Sequence, residues 1–373
     1  MRVILGKHTK IEDGIRALAR CGVGAFLDID GCAVYRDLIR QKLVGIESAG
    51  DFPYSCRYGT IAWEVNRIYL RDMPNVDISF YIFIPQVIHN ILDLLQVRHF
   101  DGYLYIVGGY VRDYFISRKT TDIDIVVFGD WKDFISILQE HYPLRVYPLG
   151  AKINVGGYHL EFSFSRYDFY TRPGKMPVVV PSSISADLER RDFTIGALAY
   201  LIYPYTGLMD PFDGFADLKK KTLRFIRGYA PFEDPSRVLR GLRYVEVLGL
   251  NLDDESEMLS QRTLEKRTPF IVSRRYFREL ENLIKALGYK RFREIDSRWH
   301  ILKSLTGEFY DTILRYINNV DGYETLKYLL LLAYVEKGVE AGSSILGFSK
   351  KERKLFVRCK DREDFIECIK EGL

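Results

Sequence analysis

Apolar residues recur along the chain in two rhythms, and the change between them falls near Asp234. Before it, Tyr103–Val107 is an apolar run that predicts a buried strand, and Ile123–Phe128 predicts a second. A helix is expected from Gln86 to Gln96, and residues 144–166 alternate as antiparallel strands do. Ser165–Asp187 carries Pro173, Pro177 and Pro181 and reads as a long loop, within which Val178–Val180 has the composition to pair. After Asp234 the period becomes helical: Leu239, Leu242, Val245 and Leu248 recur in steps of three, Tyr276, Leu280, Leu283 and Ile284 at helical spacing, and Leu326, Leu329 and Leu330 likewise. Nearer the N-terminus a short helix (Ile11–Leu18), a strand (Ala25–Leu27), a turn (Asp28–Gly31) and a second helix (Val34–Leu43) are predicted. The fold class is therefore α+β: a small N-terminal α/β unit over residues 1–85, a mixed-sheet head over 86–228, then all-α segments over 229–285 and 286–373.

Composition narrows the picture. The chain is 47% hydrophobic and 14% aromatic, which excludes a disordered protein. Its 54 basic and 50 acidic residues leave a net charge of only +4, so any nucleic-acid surface has to be assembled locally. The charge-free stretches Ile78–Leu92 and Thr194–Met209 fall short of the ~20 apolar residues of a membrane span, and no signal-peptide core is visible. Five scattered cysteines (Cys21, Cys32, Cys56, Cys359, Cys368) without a C-x-x-C pair suggest neither a disulfide framework nor a zinc site. The expected setting is the reducing cytoplasm.

The chemistry is concentrated in Tyr105-Ile106-Val107-Gly108-Gly109-Tyr110-Val111-Arg112-Asp113 and in Thr121-Asp122-Ile123-Asp124. A strand that ends in two glycines lets the backbone approach a phosphate closely. The helix opening there offers free N–H groups, and Arg112 can fork onto phosphate oxygens. Asp122 and Asp124 flank one residue of a strand, so period two sends both carboxylates to the same side. Two carboxylates beside a phosphate cradle suit Mg²⁺ ions that bridge the attacking and leaving oxygens of an in-line displacement.

With these motifs the chain resembles the class II tRNA nucleotidyltransferases, which add C and A to tRNA 3′ ends, and their relatives the bacterial poly(A) polymerases. The resemblance continues through Glu189-Arg190-Arg191-Asp192-Phe193-Thr194-Ile195-Gly196, through Asp210-Pro211-Phe212-Asp213-Gly214 to Leu218, and through Glu233-Asp234-Pro235-Ser236-Arg237-Val238-Leu239-Arg240-Gly241-Leu242-Arg243. It implies a polymerase-β-like nucleotidyltransferase head, followed by an all-α neck that reads the nucleotide base and a helical body that grips tRNA. It further implies that Asp122 and Asp124 hold the catalytic metals, and that Gly109, Arg112 and Arg191 contact the nucleotide. Arg240 and Arg243 would continue that contact along the neck helix. Glu161 stands open between a third acid at the metals and a surface carboxylate. The loop before Arg190-Arg191-Asp192, with Arg172-Pro173-Gly174-Lys175 at its centre, would be a mobile loop that serves addition of the terminal A, and Gly214 would be a pivot.

Asp234 and Arg237, three apart and read as lying on one helix, supply a base-reading pair. Cytosine and adenine each present an amino donor beside an unprotonated ring nitrogen, matching a carboxylate and a guanidinium. Uracil and guanine reverse the pattern, and a buried mismatch of this kind can discriminate by roughly 10⁴. CTP and ATP are thus the expected nucleotides, and tRNA the expected partner.

Some positions depart from the family pattern. Gly196 stands where asparagine is usual, which touches the nucleotide pocket. Ser117 replaces a glycine. Arg274 stands where an acid usually precedes Arg275 in a helix-stabilising motif with Glu279. Two other readings remain at this stage: a poly(A) polymerase, and a catalytically silent RNA-binding protein on the same scaffold. The N-terminal segment from Thr9 to Val44 loosely resembles half of a CBS-type regulatory module; the alternative is an unrelated α/β packing or dimerisation unit.

Overall fold

The two apolar runs pair antiparallel at the centre of a seven-stranded sheet. In the computed structural model the described residues are 82–170, 176–204, 206–267, 273–338 and 346–373, with three two-residue strands nearer the N-terminus. Those strands are β1 (Val3–Ile4), β2 (Leu27–Asp28) and β3 (Cys32–Ala33). β2 and β3 pair antiparallel, and residues 29–31 of the predicted turn lie outside the described residues. The predicted helices Ile11–Leu18 and Val34–Leu43 lie outside the described residues.

The first of two structural units ends at Arg227. Its helix α1 (Gln86–Val97) leads into β4 (Gly102–Val107), α2 (Gly109–Phe115), β5 (Asp122–Gly129) and α3 (Trp131–Gln139). Strands β6 (Arg145–Tyr147), β7 (Gly150–Val155) and β8 (Tyr158–Phe164) realise the alternating region, and β11 (Ala199–Tyr203) and β12 (Gly207–Met209) complete the sheet. The order is β12-β11-β4-β5-β8-β7-β6, with β5 and β8 parallel and the other neighbours antiparallel. β4 is buried on both faces from Leu104 onward, which is why its sequence is unbroken rather than alternating.

Phe134 of α3 is fully buried against Phe162 of β8, ring centres 5.4 Å apart, and against Phe100 at 5.7 Å. Burial of such a ring contributes about 2–3 kcal/mol. The opposite face carries Tyr105, Val107 and Val126 packed with Ile184 and Leu188.

The loop expected over Ser165–Asp187 is shorter than predicted. β9 (Arg166–Phe169) pairs antiparallel with β10 (Val178–Pro181), and α4 (Ile184–Glu189) follows, its N-terminus capped by Ser183. The valines pair after all, and Pro181 falls on the last residue of an edge strand, where a missing N–H does least harm.

The second unit, from Gly228, is helical. α5 (Gly214–Lys219) closes the first unit; α6 (Ala230–Glu233) and α7 (Ser236–Leu248) open the second. α7 stops at Gly249, whose φ of 65° is the left-handed conformation that ends many helices. In α9 (Arg274–Leu287), which follows α8 (Asp254–Arg267), Tyr276, Leu280, Leu283 and Ile284 form the expected buried stripe, and Ser273 caps the helix by accepting from the Tyr276 N–H. The chain continues through α10 (Tyr289–Trp299), α11 (Ile301–Thr306) and α12 (Tyr310–Tyr316) to α13 (Tyr323–Glu336), against which α9, α11 and α12 pack. α13 is buried almost all round, as its leucine-rich sequence requires.

The last helices, α14 (Lys350–Cys359) and α15 (Phe365–Gly372), correct one expectation. Cys359 and Cys368, both fully buried, form a disulfide. Their nine-residue spacing matches no motif, and only the packing of α14 on α15 brings their Cα atoms to 5.7 Å. No helix among the described residues is long and apolar enough to cross a membrane.

Candidate active site

β5 begins with alternation and then becomes wholly buried, so Asp122 and Asp124 are exposed on either side of buried Ile123. Both carboxylates therefore share a face at the start of the strand. Asp124 lies across from Val107, the last residue of β4, which brings the pair beside the Gly108–Gly109 turn. Gly108 has φ 67° and ψ −119°, a conformation open to glycine and costly for other residues.

Arg191 completes this cluster. Its guanidinium Nη1 stands 3.2 Å from where a Cβ on Gly108 would be, and Nη2 pairs with Asp187 at 3.0 Å. The Nε of Arg191 is buried without a hydrogen-bond partner among the described residues. The Asp124 carboxyl is raised above the usual carboxylate range, first by protein crowding water away from it and then by Glu161 and Asp122, with the Arg191 charge opposing.

Glu161 sits directly across from Asp124 on β8. It accepts from the Tyr147 hydroxyl at 2.6 Å and pairs with Lys152 at 2.6 Å. Loss of solvent pushes its carboxyl up, but these two donors outweigh that and hold it low. Among the described residues no group of three or more metal-capable side chains assembles, so Glu161 is a charged neighbour of Asp124 and not a gathered third ligand. Asp122 and Asp124 themselves make no side-chain hydrogen bond or salt bridge among the described residues, which leaves their oxygens open to a divalent cation. Oxygen-only donors fit a hard ion.

Arg112 is placed less simply. It is buried, and Nε and Nη2 both reach Asp113 at 2.7 Å. Nη2 nevertheless lies 3.8 Å from the Cβ position of Gly109, at the mouth of the same turn.

The turn Thr194–Gly196 sits behind Gly108, with the Gly196 carbonyl 3.6 Å from the Gly108 Cβ position. Thr194 donates to Asp217 at 2.6 Å, and Arg224 pairs with the same carboxylate at 3.0 Å. A Cβ on Gly196 would meet nothing within 4 Å, so the missing side chain leaves open space. Gly214 is the reverse: a Cβ there would lie 2.3 Å from the Thr194 carbonyl oxygen. Close approach, rather than a turn conformation, demands that glycine.

In the second unit Pro235 changes the expected geometry. Asp234 is extended (φ −142°, ψ 95°), as residues before proline tend to be, and α7 starts only at Ser236. Asp234 and Arg237 are thus not on one helix. Asp234 accepts from the Ser236 amide (3.1 Å) and hydroxyl (2.6 Å) and pairs with Arg275. Arg237 approaches Glu233 at 3.6 Å and the Ala230 carbonyl at 3.5 Å, and both base-reading candidates are buried. Arg240 and Arg243 converge on Glu279, at 3.0 and 3.5 Å.

Sequence reasoning missed Asp187, Tyr147 and Lys152 and gave Glu279 only a helix-stabilising place. An acid four residues before the second arginine of Arg190-Arg191 was the available signal for Asp187. The partners of Glu161 come from two other strands, β6 and β7, and had none.

The head is thus a seven-stranded mixed sheet that carries two open carboxylates beside a Gly-Gly turn and an arginine, the arrangement the motifs led one to expect. Known proteins agree: residues 104–224 match the Poly A polymerase head domain. The A-adding tRNA nucleotidyltransferase of Aquifex aeolicus is 38% identical over 161 residues, 42% of this chain and 20% of that protein. The CCA-adding enzyme of Anoxybacillus flavithermus is 33% identical over 162 residues, 41% of this chain and 39% of its own length. The match thus spans well under half of these relatives. The structure of the Thermotoga maritima CCA-adding enzyme complexed with tRNA shares the fold at a TM-score of 0.57, with 20% identity over 80% of this chain and 82% of that one. The resemblance read from the motifs is borne out, and for the family model it covers residues 104–224.

Proposed function

We propose that the protein is a template-independent nucleotidyltransferase that adds C, A or both to the 3′ end of tRNA, using CTP and ATP. The observation that carries this reading is the pair Asp122 and Asp124, side by side, exposed and without a salt bridge among the described residues, next to Arg191 and the Gly108 turn. Those two carboxylates would hold Mg²⁺, which supplies charge neutralisation at the reacting phosphate. The terminal ribose hydroxyl of the RNA attacks the α-phosphate of the nucleotide and pyrophosphate leaves. Arg191 and the backbone at Gly109 bind the triphosphate, with Arg112 available once it exchanges Asp113 for a phosphate oxygen. Asp234 and Arg237 read the base by accepting from an amine and donating to a ring nitrogen. Arg240 and Arg243 extend that contact, and residues 286–373 hold the RNA, chiefly through its shape and phosphates.

The test offers tRNAs ending before the first C, after C and after CC, each with CTP or ATP alone, and sequences the products. Incorporation that stops at or before the terminal A supports the reading. Tails longer than three nucleotides would assign a poly(A) polymerase, and no incorporation beyond that of an Asp122→Ala variant would leave an RNA-binding scaffold.

A further inference from the structure

Asp187 has no exposed surface, and its two oxygens serve different arginines. Oδ2 takes Arg190 through Nε at 2.7 Å and Nη2 at 2.6 Å, while Oδ1 takes Arg191 at 3.0 Å. Arg190 has a second anchor, Asp168 on β9 at 3.1 Å, so that arm ties α4 to the β9–β10 hairpin. The Arg191 arm points elsewhere. Asp187 is the only acid within salt-bridge distance of Arg191 among the described residues, and Arg191 Nη1 is set against Gly108, where a Cβ would come within 3.2 Å. Its buried Nε has no partner among the described residues. A guanidinium with one donor already fixed and another unsatisfied, beside a turn without side chains, is prepared for an oxygen-rich anion.

We propose that Asp187 is a positioning residue of the nucleotide pocket: it holds Arg191 over the Gly108 turn so that the guanidinium meets the triphosphate already oriented. The proposal rests on the nucleotidyltransferase reading of the head. Arginine has many rotamers, and fixing one before the ligand arrives removes part of the cost of ordering it on binding. Asp168 is the internal contrast, because it anchors Arg190 but does not touch Arg191.

The experiment measures ATP and CTP affinity with Mg²⁺ by calorimetry, and the mobility of the Arg191 Nε–H by NMR relaxation. Asp187→Asn should weaken affinity about tenfold, the scale typical of supporting residues, in the wild-type background and have little effect in an Arg191→Gln background. Asp168→Asn should lower the melting temperature and leave affinity within about twofold. Arg191 should be rigid in wild type and mobile in Asp187→Asn. Equal losses in both backgrounds, or an equally rigid Arg191, overturn the proposal. Should Asp187→Asn fail to fold, Asp187→Glu keeps the charge but displaces Arg191 by a methylene; a several-fold loss of affinity supports positioning and unchanged affinity overturns it. Wild-type protein that binds neither nucleotide would overturn the function proposed for the head. The NMR comparison then still decides the clamp, since Arg191 released in Asp187→Asn supports it and unchanged mobility overturns it.

Discussion

Asp124 and Glu161 lie opposite each other in parallel register on β5 and β8, yet among the described residues only Glu161 is neutralised by a direct partner. Lys152 and the Tyr147 hydroxyl occupy Glu161, while Asp124 keeps its oxygens open and its carboxyl is raised by crowding and by two neighbouring acids. A cation binding site is commonly built in this way, with negative charge held close together until an ion relieves it.

A folded-state pKa above the unfolded value means that the native protein holds the proton more tightly. The stabilisation this gives is fully present at low pH and is lost as pH rises through the raised value. Without divalent cations, Asp124→Asn should therefore melt above wild type at neutral pH, and the difference should shrink on acidification. Adding Mg²⁺ should raise the melting temperature of wild type and not of the variant, whose transferase activity falls to background. Calorimetric melts from pH 4 to 8 check this; a variant less stable than wild type at neutral pH would refute it.

Arg275 pairs with Asp234, which is almost wholly buried. Arg275→Ala leaves a buried carboxylate short of its counter-charge and should cost about 3 kcal/mol in denaturant unfolding. Arg237→Ala should relax the choice among the four nucleotides more than it weakens triphosphate binding. Equal loss with all four nucleotides at unchanged selectivity would count against a base-reading role.

The two glycines of the nucleotide turn region should respond oppositely. Gly196→Asn enters open space and should change stability by no more than about 0.5 kcal/mol while altering nucleotide KM or kcat. Gly214→Ala drives a methyl into the Thr194 carbonyl and should cost about 1–3 kcal/mol. Chemical denaturation of both variants reads the contrast, and similar values for the two would contradict the packing described.

The Cys359–Cys368 disulfide closes a loop with a sequence separation of 9. Loop entropy at that length corresponds to about 2–3 kcal/mol, so dithiothreitol should lower the stability of the helical unit by that order. A Cys359→Ser, Cys368→Ser variant should melt at the same lowered temperature whether or not reductant is present. Thiol titration of the unfolded protein that finds all five cysteines free would remove the basis of this expectation.

Much of the head was legible because strand periodicity is local. The alternation at Asp122-Ile123-Asp124 sets both carboxylates on one side whatever packs around them, and the apolar runs of β4 and β5 announce a sheet centre. The buried stripe of α9 follows from helical spacing alone. What the residue order left undecided needed atoms brought together from distant segments. The fate of Glu161 turns on Lys152 and Tyr147 from the strand pair beside it, and the pairing of Val178–Val180 on an edge that only β9 supplies. The helix expected at Asp234 gave way to the stiff ring of Pro235, and the acids that hold Arg191, Arg240 and Arg243 were fixed by burial. Local order thus determined which side chains could do chemistry, whereas tertiary packing decided which of their charges are already satisfied and which remain open to a ligand, because a charge taken out of water must find its partner wherever the fold provides one.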